Sequence, residues 1–230
     1  MSIFTMADLH LSLSADKPMD IFKGWDDYIP RILKNWNSVV GDDDTVIVPG
    51  DISWAMSLDD ALKDFDFLNN TLNGRKIILK GNHDYWWNTM SKMNAFLSAN
   101  GFDRIRILHN NAFEVEGVSV AGSRGWFYDD TAAADKKVIL REAARLRTSI
   151  AEAKKLSDNI LVFLHYPPIS DTQRCDEILD VIISENIKRC WFGHLHGFVS
   201  PANSHIEYEG TEFNLISADK LEFCPKLITF

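Results

Sequence analysis

Aspartate, histidine and asparagine recur along this chain in one ordered series. It runs Asp8-Leu9-His10, Gly50-Asp51, Gly81-Asn82-His83-Asp84, His165 and Gly193-His194-Leu195-His196, and takes in five of the seven histidines. Carboxylate, imidazole and amide donors without a thiolate suit divalent ions of the manganese, iron or zinc kind. A lone D-x-H arises often by chance; the ordered set is specific. Asp8 and His10 stand two residues apart, so on an extended segment both side chains point to one side and can share one cation. His194 and His196 have the same relation, roughly 6.5–7 Å apart along a strand. Metal pairs that work together sit only ~3.5–4 Å apart, so these two imidazoles can reach one metal each. Asp51 offers two carboxylate oxygens, the simplest bridge between two cations.

The elements that must position these residues are short strands. Thr45-Val46-Ile47-Val48 runs into Pro49-Gly50-Asp51, Lys76 to Lys80 runs into Gly81-Asn82, and Asn159 to Leu164 runs into His165. Each is an aliphatic or β-branched run of the kind buried on both faces of a sheet. Helical stretches lie between them: 57–70, where Ser57 can cap and Asp60 stands three residues on, and a long polar helix over 134–156. After Gly193 the pattern returns to strands at 206–208, 212–216 and 226–229. Repeated strand–helix units followed by a meander predict an α/β fold with mixed sheets, whose site lies at the carboxyl ends of the strands. Gly50, Gly81 and Gly193 each precede a ligand, as expected where backbone turns sharply or approaches closely.

Taken together, D-x-H, G-D, G-N-H-D, H and G-H-x-H over residues 8–196 resemble the calcineurin-like metallophosphoesterases, with no ligand position lost. The resemblance implies a four-layer α/β/β/α sandwich of two mixed β-sheets flanked by helices. It implies two divalent ions, one held by Asp8, His10, Asp51 and His196, the other by Asp51, Asn82, His165 and His194. It also implies hydrolysis of phosphate esters by a metal-bridging hydroxide, a water acidified from ~15.7 towards ~7. His83 is then not a ligand but faces the leaving oxygen, as proton donor or charge stabiliser. Asp84 can accept from one nitrogen of the His83 ring and fix its tautomer. A purely structural hydrogen-bonded pair fits the same two residues.

Aromatic residues crowd beside the ligands: Trp54, Tyr85-Trp86-Trp87, Tyr166, and Trp126-Phe127-Tyr128 after Gly122-Ser123-Arg124-Gly125. Trp54, Trp86 and Trp126 are candidates for a rim on which a planar leaving group stacks, and equally for anchors of loops against the core. Arg124 is a candidate phosphate clamp or an ordinary surface arginine. The helix carrying Lys136, Lys137, Arg141, Arg145, Arg147, Lys154 and Lys155 includes Glu142 and Glu152, and reads as a solvated face. His109 and His205 lie outside the motifs and have no role assigned. The expected substrate is a phosphodiester or nucleotide-like small molecule, because the motifs consume nearly all of the chain. A phosphomonoester, including a phosphoprotein, is the runner-up, and a non-catalytic metal-binding scaffold is the non-enzymatic alternative.

The chain has 230 residues, 46% hydrophobic, which suits one well-buried domain over 1–230. A net charge of −9 argues against a protein that grips nucleic-acid backbone by bulk charge. Two bound cations reverse the sign locally, so phosphate can still be attracted. Cys175, Cys190 and Cys224 are scattered and odd in number, reading as thiols in a reducing compartment. Met1 to Asp8 runs straight into the first motif with no signal-peptide pattern, and the apolar runs are far shorter than a membrane span. A soluble, cytoplasmic protein is expected, its oligomeric state open. There is no Walker loop, G-x-S-x-G elbow or H-E-x-x-H.

Overall fold

The computed structural model describes residues 1–126, 132–197 and 199–229, the side chains of 132–135 excepted. Aliphatic runs buried on both faces decide its architecture. In β1 (Ile3–Thr5), β2 (Thr45–Pro49) and β3 (Arg75–Leu79), alternate residues belong to different cores. Phe4, Val46, Val48 and Ile78 face one core, while Ile3, Ile47, Ile77 and Leu79 face another. The same split divides β7 (Ile160–Leu164): Val162 and Leu164 point outward, Leu161 and Phe163 inward. The period of two thus sends every second side chain across to the facing sheet. Each such aliphatic side chain contributes roughly 1.5–3 kcal/mol on leaving water.

The first sheet adds β4 (Ile105–Ile107) and β11 (Lys226–Ile228), in the order β11-β1-β2-β3-β4. Only β11 runs antiparallel to its neighbour; the β1–β2, β2–β3 and β3–β4 pairings are parallel. The second sheet contains β5 (Phe113–Val115), β6 (Val118–Ser123), β7, β8 (Arg189–Phe192), β9 (His205–Tyr208) and β10 (Thr211–Leu215). Its order is β5-β6-β7-β8-β10-β9, with β6, β7, β8 and β10 mutually parallel. The expected closing meander is therefore only the β9–β10 hairpin, because β11 leaves to pair with β1 in the other sheet.

Helices cover both outer faces. α1 (Tyr28–Val39) buries Tyr28, Ile32 and Trp36, one stripe at four-residue spacing, against the first sheet. α2 (Leu62–Asp66) and α3 (Met90–Ala99) complete that layer. The Ser57–Asp60 capping pair forms, Ser57 Oγ accepting from Asp60 N at 3.2 Å, but it closes turns ahead of α2. A wider-wound turn at Phe67–Thr71 then ends the segment. On the second sheet, α4 (Ala132–Ala153) buries Ile139, Ala143, Leu146, Ile150 and Ala153, and α5 (Asp176–Ser184) buries Ile178, Leu179, Val181 and Ile182. The result is the four-layer α/β/β/α sandwich. No helix among the described residues is long and apolar enough to cross a membrane. Lys76 on β3 is fully buried; its ammonium donates to the carbonyls of Leu72 and Gly74, and burial lowers its pKa to about 7.

Candidate metal centre

Five parallel strands end on one rim. Asp8 and His10 follow β1, Asp51 follows β2, Asn82 follows β3, His165 follows β7, and His194 and His196 follow β8. All seven residues converge there, but not by the alternation of an extended strand. Asp8 (φ 62°), His10 (φ 46°), Asp51 (φ 50°) and His194 (φ 71°) are left-handed, a conformation uncommon outside glycine. Their loops are sewn to one another: Asp8 N donates to Gly50 O, His10 N to Asp51 O, His194 N to Asp8 Oδ2 and Gly193 N to His165 O, at 2.9–3.1 Å. The glycines are required by contact. A Cβ on Gly81 would lie 2.1 Å from Asp51 Oδ1, and one on Gly193 would lie 2.6 Å from Asp8 Oδ2.

Two donor groups result, Asp8–His10–His196 and Asp51–His165–His194, each tight enough to hold an ion. Asp51 Oδ2 lies between them, 3.8 Å from His10 Nε2 and 3.5 Å from His165 Nε2. Asn82 Oδ1 completes the second group, 2.7 Å from His165 Nε2 and 2.9 Å from His194 Nδ1. His194 and His196 therefore lie in different groups, brought there by the left-handed turn at His194 and not by strand alternation.

Chemistry favours a cation in both places. His165 Nδ1 donates to the Pro49 carbonyl at 3.1 Å, which leaves Nε2 as a bare lone pair facing the Asn82 oxygen. His196 Nδ1 lies 2.9 Å from Asp219 Oδ1, which turns its Nε2 towards His10 Nε2 at 3.2 Å. Where both facing atoms are unprotonated, lone pairs at these distances call for a positive charge between them. Asp8 Oδ1 is buried with no hydrogen-bond partner. Burial pushes Asp8 up to about 7 and lowers His10, His165 and His194 to about 3, so the imidazoles are neutral donors. For His196, burial opposes the charged ring, but Asp8, Asp219 and Asp51 together raise its pKa. The same carboxylates favour a divalent ion at that position. Asp219 carries none of the motifs, yet it fixes His196 and accepts from Gly197 N at 2.9 Å. The available signal was its place just beyond β10, a parallel strand ending on the same rim.

The expected Asp84–His83 pair does not form. The Asp84 carboxylate is buried and accepts from the backbone N–H of Asp51 (3.0 Å), Ile52 (2.9 Å), Ser53 (3.3 Å) and Gly81 (2.7 Å), and from Trp86 Nε1 (3.1 Å). It clamps the Asp51 loop to the Gly81 loop, and its oxygens have no capacity left for an imidazole. Burial and the Asp51 charge push its pKa up to about 7, against the pull of these donors. His83 Nδ1 is instead buried without a partner, its ring 4.3 Å from Trp54, while its backbone N–H donates to Asp51 Oδ1 at 2.8 Å.

The aromatic candidates divide. Trp54 stacks on His10 at 5.1 Å and lines a cavity over the ligands. Trp86 is not a rim residue: it is 1% exposed, packed edge-on against Phe65 at 4.9 Å and tied to Asp84. Its indole had a buried acceptor to satisfy and a core to fill, so it turned inward. Trp126 lies edge-on to Tyr166 beneath the Arg124 guanidinium, which sits 4.5 Å over its ring. Phe127 and Tyr128 fall outside the described residues. Arg124 Nη2 lies 3.8 Å from Glu142 Oε1, and Arg145 Nη1 lies 2.8 Å from the same oxygen. Glu142 is therefore 1% exposed, a buried anion between two guanidiniums, not part of a solvated face.

The calcineurin-like phosphoesterase family matches residues 1–198. A sequence comparison with curated proteins finds no match. Among solved structures, the protein TT1561 of Thermus thermophilus is similar with a TM-score of 0.58 at 13% identity, over 99% of this chain and 97% of that one. The protein of unknown function AQ665 from Aquifex aeolicus is similar with a TM-score of 0.53 at 18% identity, over 98% of this chain and 95% of that one. At those identities the likeness is one of fold, and it extends over the whole sandwich. The family match reaches from the first residue past the last histidine of the centre, and on it the chain belongs to the calcineurin-like phosphoesterase family.

Proposed function

We propose that the protein is a dinuclear metal-dependent phosphoesterase whose substrate is a phosphodiester or nucleotide-like small molecule. The observation that carries this is the position of Asp51 Oδ2, shared by two donor groups at 3.8 and 3.5 Å. Asp8, His10, Asp51 and His196 would hold one ion, and Asp51, Asn82, His165 and His194 the other. The nitrogen and oxygen donors suit manganese, iron or zinc. Such ions supply a nucleophile at neutral pH and offset the charge of the phosphoryl oxygens.

The chain's own residues hold and orient. Asp84 keeps the Asp51 and Gly81 loops in register, and Asp219 and the Pro49 carbonyl set the tautomers of His196 and His165. His83 lines the cavity beside His10 and His196, the placement of a proton donor for a leaving oxygen. The three cysteines are free thiols, in keeping with a cytoplasmic enzyme.

Elemental analysis with anomalous scattering should find two ions per chain. Hydrolysis of bis-p-nitrophenyl phosphate should exceed that of p-nitrophenyl phosphate in kcat/KM. Strong preference for the monoester would make the protein a phosphomonoesterase. Two ions with no turnover of either ester would make it a metal-binding scaffold.

A further inference from the structure

The cavity over the ligands has a wall that none of the metal motifs supplies. Its volume is about 540 Å³, with His10, His83 and His196 at the floor and Met19, Phe22, Trp25 and Trp54 at the sides. Three of those four side residues come from one segment, the stretch between the Asp8–His10 loop and α1. That stretch is wound into successive tight turns: Phe22 N donates to Met19 O at 2.9 Å, Trp25 N to Phe22 O at 3.1 Å, and Tyr28 N to Trp25 O at 3.2 Å. Trp25 is the fixed part, 2% exposed and edge-on to His10 (5.6 Å), His196 (5.5 Å) and Phe223 (5.1 Å). Phe22 is the open part, 52% exposed, and Ile21 beside it is 75% exposed.

We propose that this wall is a specificity pocket for a hydrocarbon substituent, so that the substrate is an alkyl-bearing phosphate ester. The proposal rests on the phosphoesterase reading and narrows it. Apart from the histidines of the centre, Lys23 brings the charged group to the lining, and no amide, hydroxyl or carboxylate side chain is among the lining residues. A nucleobase buried there would find the Lys23 ammonium but no side-chain amide, hydroxyl or carboxylate for its edge, and sites selective for such groups depend on that pairing. A hydrocarbon body loses nothing and buries the apolar face that Phe22 otherwise leaves in water. The pocket opens beside His10 and His196 of the first donor group, so one molecule can place its phosphorus at the centre and its chain along residues 19–25.

The test is a series of n-alkylphosphonates, methyl to octyl, titrated calorimetrically into manganese-loaded protein, with adenosine monophosphate as comparator. Affinity should rise about three- to fourfold per methylene, the value of a buried CH₂ at ~0.8 kcal/mol, until the pocket is filled. Phe22→Ser should flatten that dependence; the side chain is half in solvent, so the variant folds. Leu140→Ser, an exposed site on α4, should leave the dependence as it is. Methylphosphonate binding with no chain-length dependence, or adenosine monophosphate binding tenfold or more above octylphosphonate, would overturn the pocket alone. Failure of methylphosphonate to bind loaded protein would overturn the phosphoesterase reading and the pocket with it.

Discussion

Asp219→Asn is the sharpest probe of the centre, because it changes one charge and almost no volume. Asp219 Oδ1 is 2.9 Å from His196 Nδ1, and Oδ2 accepts from Gly197 N at 2.9 Å. Both neighbours are donors, and asparagine has one oxygen to offer. Either the His196 N–H or the Gly197 N–H must then face an amide NH₂. Leaving one such donor unsatisfied costs roughly 1–3 kcal/mol. If the imidazole turns to recover a bond, its Nε2 leaves the position beside His10 and Asp8. Loss of an outer carboxylate that orients a ligating histidine weakens metal binding about 10–100-fold, the equivalent of ~1.4–2.7 kcal/mol. The effect should fall on one ion only, that of Asp8, His10, Asp51 and His196. Titration of metal-free protein with manganese against a competing chelator resolves the two steps. Two unchanged dissociation constants, within twofold of the parent, would refute the claim that Asp219 positions His196.

His83→Ala should keep both ions while turnover falls roughly 10²–10⁴-fold; if elemental analysis finds metal lost, His83 is a ligand or a support instead. Gly81→Ala places a methyl 2.1 Å from Asp51 Oδ1 and 2.2 Å from Asp51 N. It should abolish bridging, read as loss of one or both ions, and a fully loaded variant would contradict the close-approach argument. Lys76 has a folded pKa of about 7 against 10.5 for the free side chain. The unfolded chain therefore binds the extra proton between those values, so this group adds stability as pH rises through that window, at most ~1.4 kcal/mol per pH unit. Urea midpoints of the parent and Lys76→Met, compared from pH 7 to 10, should converge in that sense. A constant difference would show that the buried ammonium is not what titrates.

The centre was more legible in the sequence than its surroundings, for physical reasons. Ligands must be of few residue types and must follow parallel strands, so Asp51 after Thr45–Pro49 and His165 after Ile160–Leu164 announce themselves. The two-sided sheets were legible as unbroken aliphatic runs. Aromatics carry no such constraint. Trp54 and Trp86 follow neighbouring motifs, yet one lines the cavity and the other fills the core, decided by the acceptor that Asp84 presents. Asp84 itself looked like a partner for His83 because they are adjacent. Three of its five donors are main-chain N–H groups more than thirty residues away, which no spacing encodes. The destination of β11 was hidden for the same reason: a three-residue strand pairs wherever an open sheet edge lies.

The backbone of the centre explains why its ligands sit in loops with left-handed turns instead of on the strands themselves. A strand presents alternate side chains about 6.5–7 Å apart and all in one direction. Two ions a few ångströms apart need donors that converge from several directions. Asp8, His10, Asp51 and His194 achieve this by reversing the chain just past a strand end, a conformation that costs a non-glycine residue ~1–2 kcal/mol each. Nothing at a single site offsets that cost. What offsets it is collective: each strained residue either donates its N–H to, or accepts from, the loop of another ligand, and Asp84 collects the N–H groups that these reversals leave pointing inward. The strain and the bonding network are thus one device, which holds lone pairs face to face before any cation arrives.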